Sequence, residues 1–269
     1  MAFLKETARG IRKDIIKMIG KAASGHPGGC LSSVEILTLL YFEQMNVDPE
    51  NPRKDDRDRL VLSKGHAAPL LYATLAAKGF FPKEELKNLR QLGSMLQGHP
   101  DMNKVPGIDM STGSLGQGIS AAAGMALGGK IDNKDHNIFV LLGDGELQEG
   151  LVWEAAMAAG HYKLNKLIAF VDNNNLQIDG AVCEVMNPHP IDAKFAAFNW
   201  NVIMVENGHD FDELRTAVEA AKKSEDKPTV IVCTTVKGKC VSFMENNAGW
   251  HGKGPNAEEV EIALAELEA

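Results

Sequence analysis

The stretch IFVLLGDGELQEGLVWEAAMAAGHYKLNKLIAFVDNNNLQIDG, residues 138–180, decides how this chain is read. Its apolar run Ile138–Leu142 breaks at Gly143-Asp144-Gly145, a glycine-rich turn with an acidic residue at its tip. Small and apolar residues from Leu151 to Leu164 follow with helical character. A second apolar run, Leu167–Val171, then opens into an amide-rich loop at Asn173-Asn174-Asn175. Strand, turn, helix, strand and loop make one βαβ unit, so both loops fall at the carboxyl ends of parallel strands, where open α/β sheets bind ligands. There Asp144 and Asn174 offer a carboxylate and an amide oxygen, donors that suit a hard cation such as Mg²⁺ with a phosphate in its shell. A lone GDG is commonly a turn, and a lone NNN a polar loop. Their conjunction, each directly after its own apolar run, points to a cation and phosphate site.

Outward from this unit, Ile11, Ile15, Met18 and Ile19 mark one face of a helix over residues 5–23. The Ser24–Gly29 stretch breaks it, and a second helix is expected from about Ser32 to Met45, with Ser32 or Ser33 as its cap. Residues 46–58 are a polar loop, and Leu60–Leu62 a short strand ending at Ser63-Lys64-Gly65-His66, ahead of an alanine-rich helix. Phe81-Pro82-Lys83 opens a further helix, and residues 93–115 form a long irregular loop of the kind that is either functional or disordered. Gly116–Leu127 reads as a helix of small residues, Asn201–Glu206 and Thr229–Thr234 as strands, Phe211–Lys222 as a helix. A polar loop over 237–257 precedes a terminal helix from Glu258. Strands alternating with helices predict an α/β fold with a doubly wound, mostly parallel sheet flanked by helices, in a single domain over 1–269.

Bulk composition narrows the partners. A chain of 269 residues with 44% hydrophobic and 24% charged residues is an ordinary globular protein. Its net charge of −8 argues against nucleic acid, which calls for clustered Lys and Arg. No apolar run approaches the roughly 18 residues of a membrane span, and the charged N-terminus lacks a signal core. Cys30, Cys183, Cys233 and Cys240 are scattered without CxxC spacing, so neither a zinc site nor a disulfide framework is expected, and a reducing cytoplasm fits.

Four of the eight histidines share one setting, a glycine- or proline-bearing loop: SGHPGG at His26, SKGHA at His66, QGHP at His99 and GWHGKG at His251. Histidine suits proton transfer near neutral pH and hydrogen bonding to carbonyl or hydroxyl oxygens of a sugar. His136, His161, His189 and His209 lack this setting and are expected at the surface.

GDG followed by NN at this spacing resembles the thiamine diphosphate fingerprint. With SGHPGG, SKGHA, QGHP, STGSLGQG, GDGELQEG, DNNNLQIDG and WHGKGP in this order, the chain resembles the N-terminal third of transketolases from about residue 10 to 255. That resemblance implies thiamine diphosphate and a divalent cation (Mg²⁺, or Ca²⁺ or Mn²⁺) held by Asp144, Asn174 and the Leu176 carbonyl, with Gly143 and Gly145 letting the backbone approach the phosphates. It places His66 and His251 near the diphosphate and the reacting carbon, His26 at the acceptor or product oxygen, and His99 at the donor's C1 hydroxyl or carbonyl. Gly113, Leu115 and Gly116 would border the cofactor, and Glu149 would reach across a subunit interface. Cys30 and Cys240 stand where transketolases more often carry small residues, Pro or Gly, and are expected as small buried fillers.

Transketolases continue into a second domain, which grips the aminopyrimidine and supplies an activating glutamate, and then a third. The resemblance therefore implies that a separate polypeptide provides those parts, in a heterotetramer acting on sugar phosphates of pentose phosphate carbohydrate metabolism. The donor and acceptor sugars stay open at this point. The deoxyxylulose-phosphate synthases, the α subunits of 2-oxoacid dehydrogenases and a non-catalytic subunit of the same fold are alternatives. The histidine loops favour ketol transfer.

Overall fold

A computed structural model describes residues 1–268, and Ala269, the last residue of the expected domain, lies outside the described residues. The strands are β1 (Arg59–Leu62), β2 (Ile138–Gly143), β3 (Leu167–Asn173), β4 (Leu176–Gln177), β5 (Gly180–Ala181), β6 (Asn201–Val205) and β7 (Thr229–Thr234). β1, β2, β3, β7 and β6, in that order, form one sheet in which every neighbouring pair is parallel. β4 and β5 pair separately as a small antiparallel hairpin.

The helices are α1 (Ala2–Ala22), α2 (Pro27–Leu31), α3 (Val34–Leu39), α4 (Ala68–Lys78), α5 (Gln117–Ile131), α6 (Gly150–His161), α7 (Val182–Val185), α8 (Ile191–Ala197), α9 (Phe211–Lys222) and α10 (Ala257–Glu268). The central strands are apolar at consecutive positions because both faces are covered. Phe139, Leu141, Ile168, Phe170 and Ile231 join a core with residues of α1, α3, α4, α9 and α10. Their strand neighbours Ile138, Val140, Leu142, Ala169, Val171 and Val232 face the opposite way, into a core with α5, α6 and α8. The doubly wound parallel sheet is thus present, and β2–α6–β3 is the βαβ unit read from residues 138–180.

Some local expectations change. The stretch expected to break the first helix ends in the short helix α2, and the helix expected from Ser32 to Met45 is α3 running on into a π turn at Leu40–Gln44. Ser33 precedes α3 without a side-chain cap bond, because the two serines are engaged elsewhere. Ser32 Oγ donates to Asp172 at 2.6 Å, and Ser33 Oγ accepts from Lys64 Nζ at 2.8 Å. The helix expected after Phe81 is a 3₁₀ stretch, Lys83–Asn88. The hairpin, α7 and α8 are too short to show a period in the sequence.

Candidate active site

Four strands deliver their carboxyl ends to one cleft of about 450 Å³. β1 leads to Lys64 and His66, β2 to Gly143, Asp144 and Gly145, and β3 to Asn174 and Leu176. β7 leads on to Lys237, while His26, Gly113, Leu115, Glu149 and His251 come from loops and helix starts around the rim. Parallel pairing is the cause, since it puts all these exits on one edge, with Gly143 beside Asp172.

Asp144 is buried, with Oδ1 accepting from Gly145 N at 2.8 Å and Oδ2 from the Asn175 amide. Burial, then the charge of nearby Asp172, pushes its carboxyl up to about 7 despite these bonds. A carboxyl raised by a second buried carboxylate marks a spot where a cation would be stabilised. Asn174 donates from Nδ2 to Asp172 Oδ2 at 2.9 Å, which fixes its amide orientation and leaves Oδ1 as the free acceptor type, now meeting Leu176 N at 3.1 Å. The Leu176 carbonyl accepts from Lys237 Nζ at 3.1 Å. One carboxylate, one amide oxygen and one carbonyl form a donor set that fits a hard divalent cation, whose remaining positions would fall to diphosphate oxygens or water.

Beneath this set lies a polar layer that the motifs did not reveal. Asp172 is fully buried and accepts from Lys64 Nζ at 2.6 Å, Ser32 Oγ at 2.6 Å, Asn174 Nδ2 and Thr235 Oγ1. Burial alone would raise its pKa, but the Lys64 charge and these donors hold it at about 2. Glu146 is equally buried and accepts from Ser63 Oγ at 2.5 Å, Gly116 N at 2.8 Å and Gly143 N at 3.2 Å, so one carboxylate ties the loops after β1 and β2 to the start of α5. Gly116 can only be glycine there without strain: its φ is 81°, and a Cβ would lie 2.7 Å from Glu149 Cβ. Lys237 is 2% exposed, and burial lowers its pKa to about 8.

His26, His66 and His251 meet as a triangle, with ring centroids 5.1, 5.2 and 5.6 Å apart. Burial drives all three down, reinforced by Arg90, His99 and Lys237 at His26 (to about 4) and by Lys237, His26 and Lys64 at His251 (to about 3). Burial and the Lys64 charge lower His66 strongly as well. At neutral pH these rings are uncharged, so they act as hydrogen-bond donors and acceptors rather than as cations. Nδ1 of His26 and of His251 is buried without a protein partner. His99 stands outside the triangle, its ring 3.1 Å from where a Cβ on Gly113 would sit. Its loop is held by Tyr72 Oη, which donates to the Gln97 and His99 carbonyls at 3.0 Å.

Two expectations are corrected. His209 is not a surface residue: its side chain is 10% exposed, between Glu35 and the Val236 amide. Its Gly-His-Asp setting before a helix looks like an ordinary loop. Cys30 is a buried filler, but Cys240 is exposed at φ 71°, because the loop turns left-handed there. Lys64, Asp172, Glu146 and Lys237 are the site residues that sequence alone missed; a lone charged residue carries no periodic signal.

An oxygen-donor cleft at the strand ends of a parallel sheet, lined by glycine turns and neutral histidines, defines an α/β domain built to hold a diphosphate cofactor. The chain matches the family model described as "Transketolase, thiamine diphosphate binding domain" over residues 4–267 and belongs to the transketolase family. It is 49% identical to the 6-deoxy-6-sulfo-D-fructose transketolase subunit SqwG of Clostridium sp. (strain MSTE9), covering 98% of this chain and 96% of that one. An apulose-4-phosphate transketolase subunit of Phocaeicola vulgatus is 43% identical, covering 95% of this chain and 90% of that protein. A crystal structure of transketolase from Campylobacter jejuni superposes with a TM-score of 0.94 at 37% identity, covering all of this chain but 43% of that one. No helix among the described residues is long and apolar enough to cross a membrane.

Proposed function

We propose that this chain is the diphosphate- and metal-binding subunit of a split, thiamine diphosphate-dependent transketolase. It transfers a two-carbon ketol unit from a ketose phosphate, or a ketose with another anionic group, to an aldose acceptor. The observation that carries this reading is the convergence of Asp144, Asn174 and the Leu176 carbonyl with the triangle of His26, His66 and His251 in one cleft. When bound, thiamine diphosphate supplies the electron sink for carbon–carbon cleavage. Asp144, Asn174 and the Leu176 carbonyl hold the cation, and Lys64 and Lys237 balance the anionic charge of the cleft. Neutral His66, His251 and His26 orient hydroxyl and carbonyl oxygens and relay protons, and His99 meets the donor's C1 oxygen. Gly113, Leu115, Gly143 and Gly145 form the cofactor's backbone wall, with Gly116 tied behind them to Glu146, and Glu149 at the open rim.

The pyrimidine side falls to a second polypeptide, in a heterotetramer located in the cytoplasm. Relatives named as transketolase subunits support the second polypeptide, as does the apolar rim of the cleft, where Ile178 and Val185 are exposed. The test is reconstitution. The purified chain alone shows negligible ketol transfer, and adding the companion subunit with thiamine diphosphate and Mg²⁺ restores it on a panel of anionic ketoses. Robust turnover by the isolated chain refutes the split site, and turnover of pyruvate instead of ketoses refutes the reaction.

A further inference from the structure

Lys237 reaches the cleft on a loop that is tied from behind by buried groups the proposed chemistry does not use. Arg12 on α1 grips Glu35 on α3 with two bonds, Nη1 to Oε1 and Nη2 to Oε2, both 2.7 Å. Glu35 Oε2 also meets His209 Nδ1 at 2.9 Å, and His209 Nε2 lies 2.9 Å from the backbone nitrogen of Val236. An amide N–H only donates, so Nε2 is the bare nitrogen of a neutral ring, and Nδ1 carries the proton donated to Glu35. The side chains of Arg12, Glu35 and His209 are 5, 8 and 10% exposed. Little water competes for these bonds, and the ionic end of the chain polarises the neutral end.

The relay ends one residue before Lys237. That side chain has little slack: its Cγ and Cε lie 3.0 and 3.1 Å from where a Cβ on Gly28 would sit, and its Nζ reaches the Leu176 carbonyl at 3.1 Å. The flanks are anchored independently, Thr235 Oγ1 to Asp172 and Gly238 N to the Gly28 carbonyl at 3.0 Å. The Val236 amide is the point between them that a side chain from another element holds. A small backbone shift there moves the ammonium directly.

We propose that Arg12, Glu35 and His209 form a positioning relay that sets Lys237 against the Leu176 carbonyl and the bound diphosphate. The inference rests on reading the cleft as the thiamine diphosphate site. His209 touches no substrate or cofactor; it acts through Val236 on Lys237.

The experiment is a double-mutant cycle on cofactor affinity, measured by calorimetry with thiamine diphosphate and Mg²⁺ on the full chain in its complex with the companion subunit. His209→Phe keeps a ring but removes the acceptor, and weakens binding roughly tenfold, the order expected for one lost hydrogen bond. His209→Gln, whose amide oxygen can accept from Val236, restores most of the affinity. In a Lys237→Met background, His209→Phe causes no further loss, because its effect passes through Lys237. Should His209→Phe not fold, Glu35→Gln breaks the relay one step earlier, with the same dependence on Lys237. Hydrogen exchange adds a readout independent of the cofactor: the Val236 and Lys237 amides exchange faster in His209→Phe while β2 and β3 stay protected. An equal affinity loss in both backgrounds, or lowered melting with unchanged affinity, overturns the relay. Wild-type complex that binds no thiamine diphosphate overturns the cofactor reading instead.

Discussion

Replacing Asp172 by asparagine removes one charge from beneath the site while keeping the side chain's size. Asp172 is fully buried, and its partner Lys64 is 2% exposed, so Lys64 Nζ would keep only neutral acceptors, an amide oxygen, Ser33 Oγ and the Gly29 carbonyl, and lose its balancing charge. Two routes bracket the cost. The carboxyl is held at about 2 against a reference of 3.8, a preference for the charged form equivalent to about 2 kcal/mol. Orphaning one member of a buried ion pair typically costs ~3–5 kcal/mol. A loss of about 3 kcal/mol, or a melting temperature lower by roughly 6–12 °C for a chain of this size, is the expected outcome. The assay is urea denaturation at pH 7, with thermal melting alongside. Lys64→Met in the Asp172→Asn background removes the orphaned charge, so the double variant should be more stable than Asp172→Asn alone. Asp172→Asn within ~0.5 kcal/mol of wild type, the scale of an ordinary surface change, or a double variant that merely adds two losses, would refute the view that this pair underpins the site.

Asp144→Ala should abolish measurable thiamine diphosphate binding in calorimetry, because water does not replace a carboxylate in a hard cation's shell; unchanged affinity contradicts the assignment. Gly116→Ala should cost about 1–2 kcal/mol in denaturation, since alanine must adopt φ 81° with its Cβ against Glu149, and a neutral result would show that this turn relaxes. For Glu35, burial alone raises the pKa, but Arg12 and His209 bring it down from 4.5 to about 2. The unfolded chain therefore binds this proton first, so a contribution of about 3 kcal/mol is present above pH 4.5 and is lost as pH falls toward 2. Glu35→Gln should flatten melting temperature against pH in that window, and an unchanged slope would place the acid sensitivity elsewhere.

The five main strands and most of the helices were legible because their signal is local: apolar runs such as Ile138–Leu142 and Leu167–Val171 must be buried on both faces wherever they pair. Asp144, Asn174, the glycine turns and the four loop histidines were legible for a related reason, since loops at strand ends advertise their chemistry in short motifs. The order β1-β2-β3-β7-β6 was not legible, because pairing partners lie far apart in the chain and are chosen by the packing of the whole. Nor was the short helix α2, parted from α3 at Ser32 and Ser33, whose hydroxyls bond to Asp172 and Lys64.

By itself, then, the sequence determined a parallel α/β sheet with an oxygen-donor loop pair and a set of histidines. Only the tertiary structure decided that His26, His66 and His251 form a triangle while His99 stands aside, and that their burial leaves them uncharged. It also decided that Lys64, Asp172, Glu146, Lys237 and His209 are interior rather than solvated. The physical reason is that a lone charge has the same local sequence whether it faces water or a partner. Its meaning is set by a desolvation cost that appears when distant segments, such as Lys64 and Asp172, close on one another.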